Sequence, residues 1–291
     1  MMDLVAEFLE YLTAERGYSP RTVRTYGDDL RAFGAFFAAL DEGLDWPSVD
    51  ADVVRRWMVA RMEAGTAART VRRALSSLRA FYRYLLLRGL VTADPLRRVA
   101  NPKVGKPLPA FVRQGDMDRL LDDIPFGTGF VAARDRLILL TLYTTGIRVS
   151  ELIGLQAPDI DLGRGELKVT GKRNKQRIVP FGRELCEEMR RFLEDYPPPA
   201  GVVFTTERGR RLSAAQVWHI VRDRLAAVTA QEKRGPHVLR HTFATVMLNN
   251  GADLGAVKEL LGHESVATTE VYTHVSFADL KKQYEKAHPR A

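Results

Sequence analysis

Between Asp94 and Pro109 the chain carries four prolines, at positions 95, 102, 107 and 109, with Gly105 among them. Proline has no amide proton to donate and pushes its predecessor toward extended backbone, so neither a helix nor a central strand can run through this stretch. A semi-rigid linker is predicted, and the chain before it must then build a core of its own. The 291 residues suffice for two domains at the usual ~150 residues each. The predicted division is a helical domain at 1–96, a linker at 97–109 and a second domain at 110–291.

The first part reads as helices with clear stops. Leu4, Val5, Phe8, Leu9 and Leu12 recur at helical spacing, and Gly17 closes the segment. Ser19-Pro20 pairs an N-cap with a proline in the first turn, opening a helix that carries Val23, Tyr26, Leu30, Phe33 and Phe37. A third helix is predicted from Asp50 to Gly65 and a fourth from Thr66 to Leu87. The fourth separates two stripes: Val71, Leu75, Leu78, Tyr82 and Leu85 are apolar, while Arg69, Arg72, Ser76, Arg79 and Arg83 line the opposite side. An arginine stripe is most often a solvated face. This one has almost no acidic partners, which suits a surface laid along phosphates, whose charge attracts arginine whatever the base sequence.

Beyond the linker, the strongly apolar segment from Arg134 to Tyr143 predicts a further helix. Glu166 to Thr170 and Gln176 to Pro180 alternate in polarity around Gly171-Lys172-Arg173-Asn174-Lys175, the pattern of a β-hairpin. Val202 to Thr205 predicts another short strand after the break at Pro197 to Pro199, and helices then resume with Ser213 and Ser265 as caps. No internal repeat is visible. The predicted fold class is therefore mainly α with a small antiparallel β-sheet, a helical domain followed by an α+β domain.

Composition narrows the classes of function. Lys and Arg number 44 against 36 Asp and Glu, a net charge of +8 that suits a polyanionic partner. Cys186 is the only cysteine, so neither an intrachain disulfide nor a multi-cysteine zinc site can be built. The longest apolar stretches, such as Leu85 to Leu87 and Leu137 to Leu140, fall far short of the ~18 residues of a membrane span. The opening Met-Met-Asp-Leu-Val-Ala-Glu carries an acid where a signal peptide carries bases. A cytoplasmic protein without a membrane partner is expected.

Three apparent motifs carry no chemistry. Gly165 and Gly171-Lys172 imitate a phosphate-binding loop, but five residues separate the glycines instead of four, and Arg173 stands where Ser or Thr would hold magnesium. His237 and His241 have the spacing of two zinc ligands on a helix, yet Val238 replaces the general-base glutamate of that motif. No Gly-x-Ser-x-Gly elbow is present.

What remains is a dispersed set of cations and one tyrosine. Arg148 follows the helix-breaking Gly146, Lys172 sits at the hairpin tip, and His237 and Arg240 lie three apart on one helix face. Singly, each has an ordinary structural reading. Their order is more specific: Leu239-Arg240-His241-Thr242-Phe243-Ala244-Thr245, then Asn250-Gly251-Ala252-Asp253, Leu260-Leu261-Gly262-His263, Thr268-Thr269 and Tyr272-Thr273-His274. At these residues the sequence resembles the tyrosine recombinase family, also called the phage integrase family, nearest to its Xer branch, over essentially the whole chain. By that resemblance Arg148, Lys172, His237, Arg240 and His263 form the activating set, Tyr272 is the nucleophile, and Glu151 braces the first arginine. Glu264 and Val246 stand where relatives often carry other residues, and neither belongs to that set.

The resemblance makes the first domain a core-binding domain that clamps DNA together with the catalytic second domain. It implies a double-stranded DNA recombination site as substrate, recombinase subunits as partners in a homo- or hetero-tetramer on two duplexes, and a DNA translocase as a further partner. No metal, ATP or other cofactor is expected. The implied activity is site-specific cutting and rejoining of DNA, in the Xer branch for chromosome dimer resolution and segregation. A phage or transposon integrase stays open, as do a type IB topoisomerase and a non-cutting DNA-binding protein of the same fold. The complete set of six chemical residues weighs against the last. The start directly on core-binding helices fits the Xer branch better than an integrase with an arm-binding domain.

The residue types suit that chemistry. A tyrosine phenol, with a free pKa near 10, needs nearby cations or a base to attack phosphorus. Guanidinium forks match phosphate oxygens and oppose charge in a pentavalent transition state. A lysine amine on a hairpin tip suits protonation of the leaving 5′ oxygen, and imidazoles either donate to phosphate or exchange a proton with the tyrosine. Beyond the nucleophile, Phe277, Leu280 and Tyr284 recur at spacings of three and four in a polar run, predicting a short amphipathic helix. Such a tail can fold back on its own domain. The resemblance implies that it docks on a neighbouring subunit.

Overall fold

The computed structural model describes residues 3–105, 110–171, 174–198, 201–262 and 276–291. The chain divides into two compact units, Met1–Pro107 and Leu108–Ala291. Among the described residues no helix is long and apolar enough to cross a membrane.

The first unit contains helices α1 (Leu4–Ala14), α2 (Pro20–Leu40), α3 (Ala51–Glu63) and α4 (Ala68–Leu87). Three of them start on residues that satisfy the orphan amides of a first turn: Asp3 accepts from Val5 and Ala6, Ser19 from Thr22, and Asp50 from Asp52 and Val53. Their apolar stripes meet in a core of Phe8, Leu30, Phe33, Trp57, Leu75, Leu78, Phe81 and Leu85. Edge-to-face rings lock it, with Phe33 and Trp57 at 5.2 Å between centroids and Trp46 and Phe81 at 4.7 Å. One buried carboxylate is compensated there: Asp29 of α2 accepts from Ser77 at 2.8 Å and from Arg73 at 2.7 Å, both on α4. Arg69, Arg72 and Arg83 of the stripe are exposed. Arg79 is half-buried and donates to the Val99 carbonyl at 3.0 Å and to Asn101 at 2.8 Å. Leu96 and Val99 join this core, so the chain stays attached to the first unit past Pro95.

The second unit runs α5 (Gln114–Asp118), α6 (Gly129–Thr145), α7 (Val149–Gly154), β1 (Ile160–Asp161), β2 (Glu166–Thr170), β3 (Gln176–Pro180), α8 (Arg183–Asp195), α9 (Ala214–Leu225), α10 (Pro236–Asn249), α11 (Leu254–Leu261) and α12 (Phe277–Ala287). Every residue of α6 from Leu137 to Thr145 is buried, and the hydroxyls of Thr141, Thr144 and Thr145 return to carbonyls one turn back. That is how three polar side chains sit in an apolar core at little cost.

The sheet is antiparallel in the order β1-β2-β3, with Leu167 opposite Val179 and Val169 opposite Arg177. Leu167, Val169 and Val179 are buried. Alternation along a strand therefore turns Lys168 and Ile178 outward and Arg177 inward.

One predicted element differs. Val202 to Thr205 makes only isolated bridges, Gln156 with Val202 and Thr205 with Arg211, and the third strand of the sheet is the two-residue β1. The consecutive residues Val203 and Phe204 are both fully buried, which a strand with one solvated face cannot achieve. Ser213 caps α9 through a reciprocal pair with Gln216, whereas Ser265 lies outside the described residues.

In this single chain the tail helix lies on its own domain. Leu280, Tyr284 and Ala287 of α12 are buried against α10 and α11. Beyond the helix, Arg290 reaches Asp118 at 3.0 Å and Glu184 at 2.8 Å.

Candidate active site

The site is assembled where α6 ends. Gly146 turns left-handed there, at φ +62°, and a Cβ in its place would lie 2.6 Å from a Phe243 ring carbon of α10. Only glycine permits both the turn and so close an approach of the two helices. The next residues open α7, and its N-terminus is held by a residue of its own first turn. The Arg148 amide donates to Glu151 Oε2 at 2.7 Å and Arg148 Nη1 to Oε1 at 2.9 Å.

The Glu151 side chain is wholly buried, and a second arginine compensates it from the sheet. Arg177 donates through Nη1 to Oε1 at 2.6 Å and through Nη2 to Oε2 at 3.0 Å, the bidentate match of guanidinium to carboxylate. Burial by itself raises the pKa of this carboxyl. Hydrogen bonds from Arg177 and from the Arg148 amide, then the charge of Arg177 and the hydrogen bond from the Arg148 guanidinium, outweigh burial and hold it below the ordinary carboxylate range.

Arg240 arrives from α10. Its Nη1 donates to the Gly146 carbonyl at 2.6 Å and its Nη2 to the Leu261 carbonyl. Burial, then the neighbouring charge of Arg148, pull its pKa down to about 10, so it stays protonated at neutral pH.

All three guanidiniums meet the C-terminal end of α11. Arg177 Nε binds the Leu260 carbonyl at 3.0 Å, Arg240 the Leu261 carbonyl, and Arg148 Nη2 the Gly262 carbonyl at 2.7 Å. The last carbonyls of a helix have no partner within it and carry the negative end of its dipole, so they gather cations. Gly262 ends the helix at φ +63°, packed on the Arg177 side chain. Three guanidiniums facing one carboxylate leave an excess of positive charge, and such a cluster is built to receive an anion.

Of the expected set, the structure thus brings together Arg148, Glu151 and Arg240. His237 is exposed in the first turn of α10, three residues ahead of Arg240. Lys172, His263 and Tyr272 lie outside the described residues. The expected DNA-binding arginines 69, 72, 79 and 83 all belong to α4 of the first unit. Sequence reasoning missed Arg177. Its signal was the inverted parity of Arg177-Ile178-Val179, in which the residue two before a core valine is charged and the residue between them is apolar.

The chain matches the Phage integrase family over residues 111–279 and the Phage integrase, N-terminal SAM-like domain over residues 5–89. It belongs to the phage integrase family of tyrosine recombinases, as the motifs around Arg240 and Tyr272 imply. It is similar to tyrosine recombinase XerC of Chlorobaculum parvum, with 40% identity over 98% of this chain and 94% of the relative. With tyrosine recombinase XerC of Mycobacterium bovis (strain BCG / Pasteur 1173P2) it shares 42% identity over the full length of both chains. Two solved structures share the fold. XerH site-specific recombinase bound to palindromic difH substrate in a post-cleavage complex gives a TM-score of 0.72 at 22% identity, covering 90% of this chain and 78% of that one. The Tn1549 transposon integrase with circular intermediate DNA gives 0.73 at 18% identity, covering 98% and 99%.

Proposed function

We propose that this protein is a site-specific DNA recombinase that cuts and rejoins double-stranded DNA through a 3′-phosphotyrosyl intermediate. The observation that most supports this is the convergence of Arg148 and Arg240, distant in sequence, on successive carbonyls at the end of α11, immediately before His263. In the proposed reaction the Tyr272 phenolate oxygen attacks phosphorus, the bond to the 5′ oxygen breaks, and the DNA 3′ end stays linked to the tyrosine. Arg148 and Arg240 oppose the charge that builds on the non-bridging oxygens. Lys172 protonates the departing 5′ oxygen, and His237 and His263 donate to the phosphate or exchange a proton with Tyr272. Glu151 holds Arg148 in place. The covalent link conserves the energy of the broken bond, and a 5′ hydroxyl then reverses the sequence on a new partner strand.

The exposed Arg69, Arg72 and Arg83 are proposed to run along DNA phosphates. Arg79 spends donors on Val99 and Asn101, so its share in that contact is smaller. We further propose, from the resemblance to the Xer branch, that the protein acts in the cytoplasm as a homo- or hetero-tetramer on two duplexes and resolves chromosome dimers before segregation. Its similarity to proteins named tyrosine recombinase XerC supports that reading. Docking of α12 on a neighbouring subunit belongs to this proposal and requires its release from α10 and α11. The deciding test is trapping on a nicked suicide substrate. Wild-type protein should form a denaturation-resistant DNA adduct, and equal trapping by Tyr272→Phe would remove the tyrosine from its role.

A further inference from the structure

We infer that Arg177 is a positioning residue for DNA cleavage, acting through Glu151 and through the end of α11; the inference rests on the recombinase reading above. Its guanidinium spends both Nη atoms on the two oxygens of Glu151 and its Nε on the Leu260 carbonyl. One planar group therefore joins three pieces of chain: β3, the first turn of α7 and the last turn of α11.

Two consequences follow from this bridging. The first is electrostatic. A buried carboxylate facing Arg148 alone would take up most of that arginine's charge and donors. With Arg177 satisfying both oxygens, Glu151 needs a single Nη from Arg148 and still holds its backbone amide, so Arg148 keeps charge for a phosphate. The second is geometric. Gly262 packs on the Arg177 side chain, with a built Cβ only 3.2 Å from its Cδ, and His263 is the next residue in the chain. Fixing the Leu260 carbonyl thus fixes the last turn of α11, whose next two carbonyls, Leu261 and Gly262, hold Arg240 and Arg148.

Arg177 is fit for this bracing role and for little else. Its side chain is 18% exposed, it lies on the core-facing parity of β3, and the three donors above are already committed. A misplacement of reacting groups by about 1 Å is worth about 10² in rate. Arg177→Met, which keeps length and loses the fork, should therefore slow single-turnover cleavage by about 10² while DNA affinity stays within about threefold.

The experiment measures covalent adduct formation on a suicide substrate and half-site affinity by gel shift for Arg177→Met, Arg177→Lys, Glu151→Gln and the double variant Glu151→Gln with Arg177→Met. Lysine restores charge without the fork and should remain at least about tenfold slow. In the Glu151→Gln background the loss of Arg177 should cost clearly less than a further ~10², because the route through Glu151 is already broken and only the one through the Leu260 carbonyl remains. Melting curves of each variant keep folding defects apart from rate effects, and Arg177→Lys carries the test if the Met variant does not fold. Wild-type rates in Arg177→Lys, or a full further 10² in the double variant, would overturn the inference. Arg148→Ala is the control for the recombinase reading: undiminished cleavage there defeats that reading, whereas lost cleavage beside a normal Arg177→Met defeats this inference alone.

Discussion

Glu151 grips Arg148 at both ends of that residue, accepting its backbone amide on one carboxylate oxygen at 2.7 Å and its guanidinium on the other at 2.9 Å. The orientation of an arginine proposed to act on the scissile phosphate is thereby tied to the start of a helix. Glu151→Gln keeps the shape but turns one acceptor into a donor that faces two guanidiniums. Cleavage is expected to fall about 10- to 100-fold with half-site binding nearly intact, because the charge on Arg148 survives while its aim does not. Quench-flow or manual single-turnover assays read this directly, and an unaltered rate would show that the brace is dispensable.

Gly146→Ala tests the junction between α6 and α10. The substitution forces an L side chain into left-handed backbone, costing about 1 kcal/mol, and drives its Cβ into Phe243 at 2.6 Å, an overpacking worth about 1–3 kcal/mol. A loss of about 2–4 kcal/mol is expected in urea melts. Because the Gly146 carbonyl also accepts from Arg240, cleavage measured where the variant is still folded should fall more than DNA affinity. Wild-type stability would mean that the close approach is absent in solution.

Much of this was legible in the sequence, for physical reasons that differ by residue. Caps at Ser19 and Ser213 and the strongly apolar run in α6 are local signals, since the side chain that ends or buries a helix lies within a turn of its effect. The motif order groups Arg148, Glu151 and Arg240, three residues that the structure brings together. Their mode of assembly was not legible, because the carbonyls of Leu260, Leu261 and Gly262 are main-chain atoms that no residue type marks. Val202 to Thr205 misled for a related reason: a short apolar run between turns reads as a strand, and only tertiary burial of both Val203 and Phe204 shows otherwise.

Lys172 is expected to matter through its proton. Replacing the bridging 5′ oxygen by sulfur gives a leaving group that departs with little protonation, so this substrate should largely rescue Lys172→Ala. Arg148→Ala, which removes charge stabilisation and not a proton, should gain far less. Equal failure of both variants on the sulfur substrate would take the acid role away from Lys172.

The tail reports acidity through His288. This imidazole is 3% exposed, stacks on Tyr284 and Phe243 with centroids at 5.4 and 5.6 Å, and accepts on Nδ1 from the Arg290 amide at 3.2 Å. Burial above all, reinforced by the charge of Arg290, holds its pKa down to about 4 against an ordinary 6.5. Between those values the unfolded chain binds a proton that the folded chain does not, so stability rises with pH across the window. The contribution is complete above about pH 6.5, is lost as pH falls toward 4, and amounts to at most about 3 kcal/mol. Protonating Nδ1 also removes the acceptor of the Arg290 amide, which places the first loss in the packing of α12 on α10 and α11. Amide hydrogen exchange, corrected for its intrinsic pH dependence, should therefore show residues 277–287 losing protection between pH 7 and pH 5 ahead of the β2–β3 hairpin. His288→Phe keeps a flat ring in the stack and cannot take up the proton, so its tail should be less protected at pH 7 and show a shallower acid slope. An identical slope in that variant would assign the acid sensitivity to other groups.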